Sequence, residues 1–230
     1  MIEEKTNLFK FRKMAEEAVE QKDYVLERNK RAYKLDMDCV NASLERFFVP
    51  LNTSSIKPEQ IQWLSDKARY IEHSWLPSGI LYTNFNPVAV IYPYYFKDYK
   101  DFNELYTEDS KVIFRNLRRA LLNNRELLNN DIYQTDLSFK NIIYKGKDVQ
   151  LIDLDGRYVK PGKWSNYDQV YQDYLIDLKR LVKNKLNLLY GEDADKAFEE
   201  VKHLFEYKEG IEIDYPFDLI DELELKKVLK

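Results

Sequence analysis

Asp136-Leu137-Ser138-Phe139-Lys140-Asn141 sets a carboxylate and a carboxamide with four residues between them, and the apolar pair Ile142-Ile143 follows. Further on comes Leu151-Ile152-Asp153-Leu154-Asp155-Gly156, which brings two more carboxylates. An acid that can orient a hydroxyl and accept its proton is one half of a phosphoryl-transfer site. Hard oxygen ligands able to hold Mg²⁺ beside phosphates are the other half. An isolated Asp and Asn at this spacing is common by chance, so the elements around them must carry part of the argument.

Those elements divide the chain into a strand-rich first part and a helical second part. Tyr24 to Leu26 and Ala32 to Leu35 read as a hairpin around Asn29-Lys30, and Thr6 to Lys22 reads as helix or strand. Val40 to Phe48 reads as a short helix stopped before Pro50, and Lys57 to His73 as a helix with Pro58 in its first turn. Gly79 to Asn84 and Val88 to Tyr92 predict two strands joined through Asn84-Phe85-Asn86-Pro87. Asp109 to Asn129 predicts a helix whose inward stripe is Val112, Ile113, Leu117, Ala120, Leu121, Leu127 and Leu128. Ile142 to Tyr144 and Val149 to Leu154 predict strands around Lys145-Gly146-Lys147. Helices then follow near Tyr167 to Leu189, near Ala194 to Tyr207, and after Asp218. Strands segregated from helices indicate an α+β fold.

Composition narrows the function classes. The 230 residues carry 36 basic and 40 acidic side chains, a net charge of -4, which disfavours a nucleic-acid binder. No apolar run reaches the roughly 18 residues that cross a bilayer. The start, Met1-Ile2-Glu3-Glu4-Lys5, lacks the apolar stretch of a secretory signal, and Cys39 is the single cysteine, so a reducing cytoplasm is expected.

The two acidic motifs, with the long helix before them, resemble the protein-kinase-like superfamily of protein kinases and aminoglycoside and choline phosphotransferases. The resemblance implies a bilobal fold with a small strand-rich N-lobe over residues 1–95, a hinge near 92–98, and a reduced helical C-lobe over 96–230. It implies ATP and Mg²⁺ as cofactors and transfer of the γ-phosphate to a hydroxyl of a protein or small molecule. By the same resemblance Asp136 is the catalytic base, Asn141 and Asp153 are metal ligands, and Asp155 is a further acid at the metal. Val88 to Tyr92, followed by Pro93-Tyr94-Tyr95-Phe96, looks like the strand and hinge that hold adenine, which makes Tyr94 and Phe96 nucleotide-site residues. Lys34 in Ala32-Tyr33-Lys34 resembles the strand lysine that meets the phosphates, paired with Glu59 or, alternatively, Glu45. Asp177 or Asp173 would be the acid that braces the catalytic loop.

The sequence departs from the family pattern in four places. Gln134 stands where a histidine is usual and keeps the capacity for a local hydrogen bond; Ser138 replaces a usual lysine, for which Lys140 is the substitute. No glycine precedes Gly79, so no glycine-rich loop covers the phosphates. The 74 residues after Gly156 leave little room for a long activation segment. The first and third departures favour an alternative, a pseudokinase that binds nucleotide or a partner without turnover. The intact set Asp136, Asn141 and Asp153 favours the enzyme. His73, His203 and Cys39 are expected to be structural or exposed, and the tyrosines from Tyr92 to Tyr99 either a stacking surface or core.

Overall fold

The computed structural model describes residues 33–35, 46–50, 57–74, 76–77, 79–83, 86–92, 99–154, 159–161, 168–206 and 214–229. Helices and small antiparallel sheets make up the fold, which is therefore α+β. The chain separates into two compact units. One holds residues Met1–Asp98 with Asp153–Arg157, the other Tyr99–Ile152 with Tyr158–Lys230.

The first unit contains a four-stranded antiparallel sheet of β1 (Tyr33–Leu35), β2 (Arg46–Pro50), β3 (Gly79–Thr83) and β4 (Asn86–Tyr92), in the order β1-β2-β4-β3. Helix α1 (Pro58–Lys67) packs on β3, burying Ile61 and Leu64, with Pro58 at its start where a missing N–H costs nothing. It gives way to a 3-10 turn at Ala68–Tyr70, so the predicted helix to His73 is cut short. A larger correction concerns β2. The helix expected over Val40 to Phe48 is a strand from Arg46, paired with β1 on one side and β4 on the other. Phe-Phe-Val suits a pleated surface, and sheet pairing overrides the local helical spacing. Pro50 ends that strand opposite Ala89, beyond the reach of β1, where its missing donor is tolerated.

The second unit is built around α2 (Ser110–Asn129), which buries Ile113, Phe114, Leu117, Ala120, Leu121 and Leu127. Each of these side chains except the smaller Ala120 contributes about 1.5–3 kcal/mol when fully buried. Val112 and Leu128, assigned to the same stripe from the sequence, are only half-buried. The helix stops at Asn130, whose N–H meets the carbonyls of Glu126 and Leu127, and Asp131 turns the chain with φ at 61°. That left-handed residue lets β6 (Ile132–Gln134) leave the helix end directly. β6 pairs with β9 (Val159–Pro161), two short strands the sequence did not announce.

A second sheet joins β5 (Lys100–Asp101), β7 (Ile142–Lys145) and β8 (Asp148–Leu151). Gly146, at φ 60°, supplies the left-handed corner of the two-residue turn between β7 and β8. β8 ends at Leu151 rather than continuing to Leu154. Helix α3 (Asp168–Tyr190) packs against the 3-10 turn at Phe102–Thr107 and against α4 (Ala194–Glu199). The helix expected through Tyr207 breaks after Glu199 into a 3-10 turn at Lys202–Phe205. The last helix, α5 (Tyr215–Leu225), lies on α2, tied by Arg118 to Asp221 at 2.7 Å and to Glu224.

Candidate functional site: the loop from Asp136 to Asn141

The loop that carries Asp136 is fixed at both ends by backbone and in the middle by a ring. After β6, the chain makes a 3-10 turn at Phe139–Asn141, closed by the Asn141 N–H donating to the Ser138 carbonyl at 2.9 Å. The Ile152 N–H donates to the Asn141 carbonyl at 2.9 Å, which ties the turn to the end of β8. Phe139 anchors the centre. Its ring stands edge-on to Phe102 at 4.9 Å and to Tyr174 at 5.3 Å, and all three are buried.

Asn141 is oriented by its neighbour. Its Nδ2 donates to the Asp136 carbonyl oxygen at 3.0 Å, inside the buried loop. With the nitrogen so engaged, the amide oxygen is the acceptor the side chain can still present. Asp136 is 7% exposed, and Lys140 Nζ reaches its Oδ2 at 3.0 Å from a side chain that is 57% exposed. Burial pushes the Asp136 carboxyl up, but the Ser138 hydroxyl, the Lys140 ammonium and Asn141 together hold it below the usual carboxylate range. Asp136 Oδ1 and Ser138 Oγ are nevertheless buried atoms with no hydrogen bond of good geometry. Ser138 therefore acts on the carboxylate as a nearby dipole rather than as a formed donor.

Asp177, on α3, is the brace. Its Oδ2 accepts the Phe139 N–H at 2.7 Å, and its Oδ1 is held by Arg180, which also donates to Asn103 Oδ1 at 3.1 Å. Asp173, one turn earlier on the same helix, makes no such contact with the loop. Burial raises its carboxyl, the nearby charges of Asp136 and Asp177 add to the rise, and Lys140 opposes it. Asp136, Ser138, Lys140, Asp173, Asp177 and Arg180 share the wall of one depression of about 500 Å³.

No family model matches the sequence, and no curated protein does. Among solved structures, a kinase of the Cydia pomonella granulovirus, PK-1, is similar at 11% identity with a TM-score of 0.47. The match takes in 60% of this chain and spans half the length of the viral one. A TM-score of 0.47 is too low to establish a shared fold.

The other residues singled out from the sequence fare differently. Asp153 follows Ile152 directly, is exposed, and takes φ 60°, an unusual backbone for a non-glycine residue. Asp155, Tyr94, Phe96 and Glu45 lie outside the described residues, as does the side chain of Lys34, whose backbone stands opposite Phe47 in β1. Glu59 is exposed in the first turn of α1, where the helix dipole favours an acid. Among the described residues, no group of three or more His, Cys, Asp or Glu gathers to hold a metal. None of their helices is long and apolar enough to cross a membrane. His203 is exposed and His73 half-buried.

The side chain of Gln134 makes no hydrogen bond among the described residues. Its amide is 1% exposed, and neither Oε1 nor Nε2 finds a partner. Three residues that matter to the site's frame were absent from the sequence reading. Asn116 and Asn123 sit on the buried stripe of α2, donating to the carbonyls of Gly146 at 3.0 Å and Val149 at 2.7 Å. They hold the hairpin whose far end carries Ile152. Arg180 is the third, since it completes the brace at Asp177. The spacing Asn116, Ala120, Asn123, Leu127 follows the helical period, so the amides could have been found by asking which polar residues interrupt an apolar stripe.

Proposed function

We propose that this chain is an ATP- and Mg²⁺-dependent, kinase-like phosphotransferase that moves the γ-phosphate to a hydroxyl, within a bilobal protein-kinase-like fold. The observation that carries the reading is the Asp136–Asn141 loop. It joins a buried carboxylate favoured in its ionised form to an amide whose nitrogen is tied to the backbone of that same aspartate. This meets the two demands of phosphoryl transfer, an oriented proton acceptor and a preset oxygen ligand.

Asp136 takes the proton of the acceptor hydroxyl as its oxygen bonds to the γ-phosphorus and the bond to ADP breaks. Asn141, through its amide oxygen, and Asp153, with Asp155 beside it, are the residues that would hold Mg²⁺, whose charge offsets that of the phosphates. Lys140, 57% exposed, would leave Asp136 Oδ2 for the transferring phosphate in this reading. Lys34, with Glu59 as a candidate partner, and the segment of Tyr94 and Phe96 complete the nucleotide site in this reading. Asp177 contributes by holding the loop in register through Phe139.

The second reading, a pseudokinase, draws on two features of the sequence: the absence of any glycine before Gly79, and Gln134 where a histidine is usual. Incubation with γ-labelled ATP and pools of protein and metabolites decides between the two. An acceptor that becomes labelled in an Asp136-dependent way excludes the pseudokinase. Asp136→Asn should keep ATP binding and lose transfer by about 10²–10⁴-fold, the usual worth of a general base. Transfer undiminished in that variant would remove Asp136 from its role.

A further inference from the structure

Glu108 stands between the 3-10 turn at Phe102–Thr107 and the start of α2, and both its backbone and its side chain are tied down. Its N–H donates to the Leu105 carbonyl at 3.1 Å, which closes the turn. Its carbonyl accepts from Lys185 Nζ at 2.8 Å, and Lys185, on α3, is a lysine only 7% exposed. Its carboxylate Oε1 accepts from the Tyr144 hydroxyl at 3.0 Å and from Lys100 Nζ at 2.6 Å. A buried ammonium is costly unless it is hydrogen-bonded and faced by an opposite charge, and Glu108 supplies both to Lys185. Lys100 above all holds the Glu108 carboxyl below the usual carboxylate range, while burial pushes the Tyr144 phenol up. The two therefore remain acceptor and donor at neutral pH.

Tyr144 and Lys185 belong to the two supports of the Asp136–Asn141 loop. Tyr144 lies in β7, three residues beyond Asn141, where the chain leaves the loop. Lys185 lies a little over two turns of α3 beyond Asp177, the acid that holds the Phe139 N–H. Buried rings make a second connection. Tyr144 stands edge-on to Phe102 at 5.9 Å, and Phe102 stands edge-on at 4.9 Å to Phe139, the ring at the centre of the loop. Interiors packed this closely pass a displacement from one side chain to the next. We infer that Glu108 is a positioning residue for the loop, the junction that fixes β7 against α3 and so sets where Asp136 and Asn141 stand. Its carboxylate acts through Tyr144 and its carbonyl through Lys185. An acid kept at a helix start only for the dipole would leave the loop indifferent to it. Calling the loop catalytic rests on the phosphotransferase reading, whereas the junction rests on these contacts alone.

Amide NMR of the whole chain reads the loop without any ligand. Tyr144→Phe removes the hydroxyl and keeps the ring, and Lys185→Met removes the ammonium and keeps an apolar stem. Each should shift the Asn141 side-chain amide signals and speed exchange of the Phe139 and Asn141 N–H by about two- to tenfold, the worth of one hydrogen bond in a local opening. Glu108→Ala should do at least as much. Glu108→Gln, which keeps an acceptor for Tyr144, should recover most of the parent behaviour. Arg118→Ala is the control: it loosens α2 from α5 in the same unit, and should lower Tm while leaving the loop signals as they were. A loop that matches the parent in Tyr144→Phe, Lys185→Met or Glu108→Ala overturns the inference. Equal disturbance by Arg118→Ala, or by Glu108→Gln and Glu108→Ala alike, overturns it too. Transfer from γ-labelled ATP, run on the same samples, separates the two claims. Loop changes as expected with no Asp136-dependent transfer in the parent support the junction and sink the phosphotransferase reading. Asp136-dependent transfer in the parent with a loop indifferent to Glu108 sinks the junction alone.

Discussion

Asp177 holds two partners with its two oxygens, the Phe139 N–H at 2.7 Å and the Arg180 guanidinium. Truncating it to alanine would orphan a buried backbone donor and release Arg180, so Asp177→Ala should cost about 1–3 kcal/mol in a urea melt. Asp177→Asn, which keeps an acceptor for Phe139, should cost less; equal losses would mean that the brace is not a hydrogen bond. Asp173 behaves in the opposite way. Burial and the charges of Asp136 and Asp177 raise its carboxyl above the ordinary 3.8, so the folded chain binds that proton more readily than the unfolded one. Ionised Asp173 therefore opposes folding at neutral pH, and the opposition fades as pH falls through its folded pKa toward 3.8. Asp173→Asn should raise Tm at pH 7 by about a degree or two, a small effect because the site is solvated. The gain should vanish below the unfolded pKa, and a gain that persisted at acid pH would not come from this ionisation. Asp136 runs the other way: its lowered carboxyl lends stability above 3.8 that is lost as pH falls through the folded value.

The elements show what could be read from residues and what could not. Helix α2 was legible because its apolar stripe repeats over twenty residues, and the β7–β8 hairpin because Gly146 marks its corner. β2 was not, since Arg46 to Pro50 is a strand only by virtue of two neighbours distant in sequence. β6 and β9 are three residues each and exist through pairing with one another, which no local pattern encodes. The acidic motif of the site is visible as residue types at a fixed spacing, and of the two acids on α3 the one that braces it is Asp177, not Asp173. Asn116 and Asn123 show in the sequence only as polar interruptions of an apolar stripe, because their partners lie 30 and 26 positions away, and Arg180 reaches Asn103 across 77. Asn123 is the stronger test of that frame. Asn123→Ala leaves the Val149 carbonyl without its donor, and should cost about 1–3 kcal/mol, with faster amide exchange along β8. Unchanged exchange in β8 would show that the helix does not hold the hairpin.

For the molecule as a whole, the described residues form two compact units, and Asp153 and Asn141 belong to different ones. A ligand that binds the folded chain and not the unfolded one adds its binding energy to the stability of the fold. Mg·ATP at about a hundred times its Kd contributes roughly 2.7 kcal/mol, which for a chain of this size is a rise in Tm of about 5–10 °C. Thermal unfolding of the parent, of Asp136→Asn and of Asp153→Ala, each with and without Mg·ATP, is the measurement that tests the central claim. The full rise is expected in the parent and in Asp136→Asn, whose proposed role is in transfer, and none in Asp153→Ala. A parent whose Tm does not move with Mg·ATP contradicts it.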